Sequence, residues 1–146
     1  MILKIKNEEL ETDDITLLAG SSSLNICPIK PYHDHICSFL NDLSQKLMKY
    51  KMHPDIITFA FWCRKANIYK LKNSYVDNKI RIGRGLVFHI TPSNVPINFA
   101  FSYVFGLISG NSNIVRVPSK EYSQIDIICS SLKELFNNKE YEDIYR

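Results

Sequence analysis

Apolar and polar positions fall into blocks whose period changes along the chain, and each change of period marks an element. Ile2, Leu3 and Ile5, then Ile15, Leu17 and Leu18, are apolar clusters separated by acidic residues and closed by Gly20-Ser21-Ser22-Ser23. This pattern predicts short extended pieces that end in a loop. From Asp34 to Lys51 the apolar residues Ile36, Phe39, Leu40, Leu43 and Leu47 step by three and four, the period of an amphipathic helix. His53-Pro54-Asp55 reads as the start of a second helix with Pro in its first turn, and the body from Ile56 to Leu71 is dense in Phe59, Phe61, Trp62, Ile68 and Tyr69. Both helices are expected to cover a sheet.

The second half changes period. Leu86-Val87-Phe88-His89-Ile90 is a nearly continuous apolar run ended by Thr91-Pro92, which predicts a strand buried on both faces at the centre of a sheet. Ser93 or Asn94 is expected to cap the next helix, Pro96 to sit in its first turn, and Gly110-Asn111 to stop it after Phe99 to Ile108. Ile114-Val115-Arg116-Val117 predicts a further strand, closed by Pro118. Ser119 can cap a last helix with Glu121 in its first turn and a stripe of Ile125, Ile128, Cys129, Leu132, Leu135 and Phe136. Strand, helix, strand, helix with short connections is the pattern of a parallel α/β sheet with right-handed crossovers. Two parallel strands do not complete a doubly wound domain, so the end at Arg146 is expected to be the cut end of a fragment.

Composition narrows the function classes. A chain of 146 residues with 45% hydrophobic content is one soluble domain able to build a core without disulfides or metals. Its net charge of +3 comes from Lys and Arg interspersed with acids, which argues against nucleic acid or a membrane surface as partner. No apolar run approaches the ~20 residues of a membrane span, and the start MILKIKNEEL lacks the features of a signal peptide, so a cytoplasmic location is expected. Cys27, Cys37, Cys63 and Cys129 form no CxxC pair and read as reduced thiols, mostly packed. His33, Asp34, His35 and Cys37 cluster without the second ligand pair that structural zinc needs, so no metal is expected.

Candidate chemistry concentrates after the first parallel strand. Gly83-Arg84-Gly85 precedes that strand, whereas a dinucleotide fingerprint follows one, so it reads as a turn into the sheet. Ligands of open α/β sheets bind outside the carboxyl ends of strands, which points to Thr91, Pro92, Ser93, Asn94, Val95 and Pro96. Asn94 alone is equally a helix cap, and Arg116 alone equally a solvated side chain; together they are polar groups at adjacent strand ends. Trp62 reads as a packing residue and His89 as a buried, hydrogen-bonded histidine.

Gly85 to Pro96, continued by Gly106-Leu107-Ile108-Ser109-Gly110-Asn111-Ser112-Asn113-Ile114-Val115-Arg116-Val117-Pro118-Ser119, resembles the cofactor-domain core of the aldehyde dehydrogenase superfamily. More closely, it resembles the acyl-CoA reductases of the bacterial bioluminescence fatty-acid reductase type. Phe61-Trp62-Cys63-Arg64-Lys65-Ala66-Asn67-Ile68 resembles the aromatic helix ahead of that family's cofactor strand, and the likeness runs from Asp55 to Leu135.

The resemblance implies an incomplete Rossmann-like parallel sheet of the aldehyde dehydrogenase cofactor domain, preceded by short strands and two covering helices. It divides the chain into an N-terminal part, 1–52, and the first part of an NAD(P)-binding domain, 53–146, with the catalytic domain absent. Asn94 matches the family's oxyanion-stabilising Asn. Thr91, Pro92 and Ser93 would line the nicotinamide side of the cofactor, and Arg116, Ser119 and Lys120 its adenosine side. Arg116 stands where many members have a Lys, with Val117 interposed before Pro118; a guanidinium suits a phosphate, which favours NADP, with NAD as the alternative.

None of the cysteines is set like the family's nucleophile, so the chain alone is expected to be inactive. The implied activity is NAD(P)H-dependent reduction of a long-chain acyl group, delivered as acyl-CoA or acyl-protein, to a fatty aldehyde, by a protein that assembles as a homo-oligomer. The alternatives are an aldehyde or semialdehyde dehydrogenase and a non-catalytic remnant or interaction module.

Overall fold

The computed structural model describes residues 1–5, 15–75 and 79–145. Its strands are β1 (Ile2–Ile5), β2 (Ile15–Ala19), β3 (Leu86–Ile90) and β4 (Ser112–Val117). Helices α1 (Asp34–Leu47), α2 (Pro54–Trp62) and α3 (Lys65–Tyr75) lie between β2 and β3, α4 (Asn98–Ile108) joins β3 to β4, and α5 (Ser123–Phe136) follows β4. A 3-10 turn (Lys139–Tyr141) and a short α6 (Glu142–Tyr145) close the described chain.

The strands form one sheet in the order β2-β1-β4-β3. β4 pairs in parallel with both β3 and β1, and β2 adds antiparallel to β1. The fold is therefore α/β with a mostly parallel sheet, a partial Rossmann-like arrangement in which β3-α4-β4 is the repeated unit.

Side-chain alternation gives the sheet two unlike faces. Val115 and Val117 of β4 and Ile2 of β1 are fully buried on the face that receives the helices. There they meet the stripes of α4 (Phe99, Ala100, Tyr103, Val104, Leu107) and α5 (Ile125, Ile128, Leu132), with α1 packed behind through Phe39, Leu40, Leu43 and Leu47. On the opposite face Leu86, Phe88 and Ile90 of β3 are 46, 52 and 69% exposed, and Ile15 and Leu17 of β2 are exposed as well.

This overturns the expectation that β3 is central and buried on both sides. Among the described residues it is an edge strand paired only with β4, and only Val87 and His89 turn toward the helical layer. An apolar run shows that a strand can be buried; how many neighbours it receives is set by topology.

Element boundaries also moved. The single helix expected over Ile56 to Leu71 is two, because the backbone turns at Cys63-Arg64: α2 ends with the Cys63 amide donating to the Phe59 carbonyl, and the Asn67 amide group closes the Trp62 carbonyl at 2.7 Å. α4 starts at Asn98 with Ile97 as N-cap, so neither Ser93 nor Asn94 caps it and Pro96 lies in the preceding turn. α5 starts at Ser123 after Tyr122; the Ser119 hydroxyl that could have capped it donates instead to the Ile5 carbonyl at 3.0 Å.

Candidate functional site at the carboxyl ends of the parallel strands

Three parallel strands end on one rim, at Ile5, Ile90 and Val117. Register fixes what is adjacent there. Ile90 lies opposite Arg116 and Leu3 opposite Arg116 on the other side, so Arg116 stands between the ends of β3 and β1. The Thr91 hydroxyl crosses from the end of β3 to donate to the Arg116 carbonyl at 3.2 Å. Ser119 ties the chain after β4 to the end of β1 through Ile5. The Tyr122 hydroxyl donates to the Ser93 carbonyl at 3.0 Å, and the Lys120 ammonium lies 5.2 Å from the Tyr122 ring centre.

These contacts gather Thr91, Ser93, Arg116, Ser119 and Lys120 on one rim, but they also sort their chemistry. The hydroxyl protons of Thr91 and Ser119 are committed to backbone carbonyls, so these side chains hold the rim together and keep only acceptor lone pairs for anything else. Arg116 differs: its Nε is buried without a hydrogen-bond partner among the described residues. A buried guanidinium nitrogen left unpaired is costly, and an anion at the rim would satisfy it. Pro92 and Asn94 are exposed, and Asn94 makes no hydrogen bond among the described residues, so its amide is neither a cap nor a structural strut.

Beneath the rim, β3 and β4 are locked to α4. The Asn113 amide nitrogen donates to the Asn111 carbonyl at 2.8 Å, which leaves its oxygen facing His89 Nε2 at 2.9 Å. His89 Nε2 therefore carries a proton and donates to the Asn113 oxygen across the strand pair. The helix approaches closely here: a Cβ on Gly106 would lie 1.8 Å from the Asn113 oxygen. At the end of α4, Gly110 takes the left-handed conformation (φ 82°) that stops the helix, as its position in the sequence predicts.

The cysteines separate cleanly. Cys37, Cys63 and Cys129 are buried. Burial pushes the thiols of Cys37 and Cys63 up and that of Cys129 up to about 12, so all three stay protonated near neutrality. Cys27 is exposed and lies with Met1, Ser112 and Asn113, at the amino ends of the strands, away from Asn94. His33 accepts from the His35 amide as the N-cap of α1, and Cys37 donates to the Tyr32 carbonyl, so the His33 to Cys37 cluster is occupied in starting a helix. Trp62 packs edge-on against Phe101 and Phe105, between α2 and α4.

The residues that sequence alone does not single out are Tyr122, Asn113 and Gly106. Tyr122 offers no motif; its role comes from meeting Ser93 across 29 residues.

The family model for acyl-CoA reductase (LuxC) matches residues 40–144, which takes in β3, α4, β4 and the rim residues from Thr91 to Tyr122. The chain belongs to the acyl-CoA reductase (LuxC) family. No curated protein and no solved structure matches it. No described helix is long and apolar enough to cross a membrane.

Proposed function

We propose that the chain forms the cofactor side of an NADPH-dependent reductase that converts a long-chain acyl thioester to a fatty aldehyde. The observation that carries this is the register of β3 on β4, which brings the loop of Asn94 and the half-buried Arg116, with its unpaired Nε, to one rim in a chain of an acyl-CoA reductase family.

The rim residues fit a phosphorylated dinucleotide. Arg116 offers an unsatisfied buried donor and Lys120 a second cation beyond the strand end, both suited to a phosphate. Thr91, Pro92 and Ser93 follow the neighbouring strand and would face the nicotinamide side, with Ser119 tying down the loop beneath the adenosine side. When bound, NADPH supplies the reducing equivalent.

The protein's own part is to orient and to stabilise charge. The Asn94 amide, unengaged by the fold, donates to the oxygen of the acyl carbonyl as it gains negative charge, and such a donor is strong only where water is excluded. Asn94 is exposed here, so the bound acyl group and the residues around it provide that exclusion. The attacking thiolate is not one of the buried cysteines, whose thiols are held protonated, nor Cys27 at the far end of the strands.

The decisive assay is acyl-CoA-dependent oxidation of NADPH by a full-length reductase that carries this chain together with a catalytic cysteine. Activity is expected, with Asn94→Ala lowering turnover about 10²-fold while NADPH binding is unchanged. Unchanged turnover would remove Asn94 from the chemistry. Oxidation of an aldehyde with NADP, without reduction of acyl-CoA, would make the protein a dehydrogenase instead.

A further inference from the structure

The loop that carries Asn94 has few attachments of its own. Ser93, Asn94 and Val95 are exposed, and Pro92 and Pro96 contribute no N–H. Thr91 is fastened at the start of the loop by its hydroxyl on the Arg116 carbonyl, and the Val95 carbonyl takes the Asn98 amide at 3.2 Å where α4 begins. Between those points, among the described residues, one hydrogen bond reaches Pro92, Ser93 or Asn94 from another part of the chain: that of the Tyr122 hydroxyl to the Ser93 carbonyl, at 3.0 Å. The residue before Asn94 is thus held from across the rim.

The donor is anchored more firmly than the loop it holds. Tyr122 is the N-cap of α5, extended at φ −140°, and its carbonyl receives the Ile125 amide at 3.0 Å. Its half-buried ring packs against the core. The chain is fastened on both sides of it to other elements: Ser119 donates to the Ile5 carbonyl at 3.0 Å, and the Gln124 amide nitrogen to the Asp55 carboxylate at 3.0 Å. A tyrosine has only two side-chain torsions, so a ring held at its base carries its hydroxyl to a defined point. The Lys120 ammonium lies over the same ring, 5.2 Å from its centre. The cation offered to the cofactor and the hydroxyl that holds the Asn94 loop therefore share one base.

We infer that Tyr122 is a positioning residue, whose hydroxyl fixes the Asn94 amide relative to the cofactor rim and acts on turnover through Asn94. This rests on the reductase reading. A donor stabilises developing charge without further cost only if it is already in place, and a displacement of about 1 Å in an aligned site can lower the rate 10²-fold. An exposed loop that has lost its tether must be ordered again in each turnover, at the cost of its conformational freedom.

Tyr122→Phe keeps the ring and removes the bond. In this chain, NMR relaxation of the backbone amides should show Asn94 and Val95 passing from ordered to mobile, with order parameters falling toward about 0.6, while Ile125 is unchanged. In a full-length reductase that carries this chain together with a catalytic cysteine, the same substitution should lower kcat about three- to tenfold, the worth of one neutral hydrogen bond, with the KM for NADPH unchanged. With Asn94→Ala already in place it should lower kcat no further, because two changes that act through one group are not additive. Tyr141→Phe removes a hydroxyl from a distant turn and should alter neither loop order nor kcat, which separates the tether from a general loss of stability. Unchanged order at Asn94 overturns the proposal, and so does an equal fall in kcat with and without Asn94. If Asn94→Ala lowers turnover and Tyr122→Phe does not, the positioning role alone falls. If the loop loosens but Asn94→Ala leaves turnover unchanged, the role of Asn94 in the reductase fails and takes the positioning role with it.

Discussion

His89 shows how a single residue's role emerges from its neighbours. An apolar strand interrupted by one histidine predicts a buried hydrogen bond, and the structure supplies the partner, Asn113, on the adjacent strand. What the sequence could not show is that Gly106 makes the pair possible. The glycine belongs to α4, seven residues before Asn113, and only the packing of helix on sheet brings its Cα against the amide. Gly106→Ala must displace Asn113, break its bond to His89, or push α4 off the sheet; an overpacked core of this kind costs about 1–3 kcal/mol. Chemical denaturation should show that loss. A shift of a few tenths of a kcal/mol would mean that the helix is free to move. The rim follows the same logic: Thr91, Arg116 and Ser119 could be located from strand ends and turn residues, whereas Tyr122 could not, because its contact to Ser93 is wholly tertiary.

At the scale of elements, periodicity located the helices well and their starts poorly. The stripe of α1, Ile36, Phe39, Leu40, Leu43 and Leu47, is buried as its spacing predicts, and so is that of α5 except for the half-buried Phe136. Starts depend on where candidate caps find better partners. Ser119 is drawn to Ile5, and α4 begins only where Phe99 and Ala100 reach the core. The break between α2 and α3 was likewise hidden, since the Asn67 side chain that closes Trp62 is unremarkable in sequence.

One contact joins distant elements and can be tested directly. Tyr141, in the 3-10 turn, is buried against Phe39 of α1, and its hydroxyl donates to the Asp42 carboxylate at 2.6 Å. Tyr141→Phe keeps the ring and removes the bond to a charged acceptor, a contact worth about 1.5–3 kcal/mol where it is well buried. Asp42 is half-buried and can recover water, so the expected loss falls at or below the lower end, about 1–1.5 kcal/mol in a thermal or urea melt. No change in the midpoint would show that the turn docks through its apolar ring alone.

The whole molecule is one-sided, and that is the feature the sequence concealed most completely. Both faces of β3 read as apolar, because Leu86, Phe88 and Ile90 alternate with Val87 and His89 without a polar break. Parallel sheets are ordinarily covered on both faces, so the apolar run was a fair sign of burial; among the described residues only the face of Val115, Val117 and Ile2 is closed by helices. Paired substitutions on the two faces measure this asymmetry. Val115 is fully buried between β1, β3 and the helical layer, and Val115→Ala should cost about 1–2 kcal/mol in transfer energy and cavity. Phe88 is the larger residue, yet Phe88→Ala should cost less, about 1 kcal/mol, because half its surface already meets water and no closed cavity is left behind. The order of the two losses is the test. If Phe88→Ala destabilised the chain more than Val115→Ala, the outer face of the sheet would have to be covered in solution, and the one-sided architecture that sets Arg116 at an open rim would be wrong.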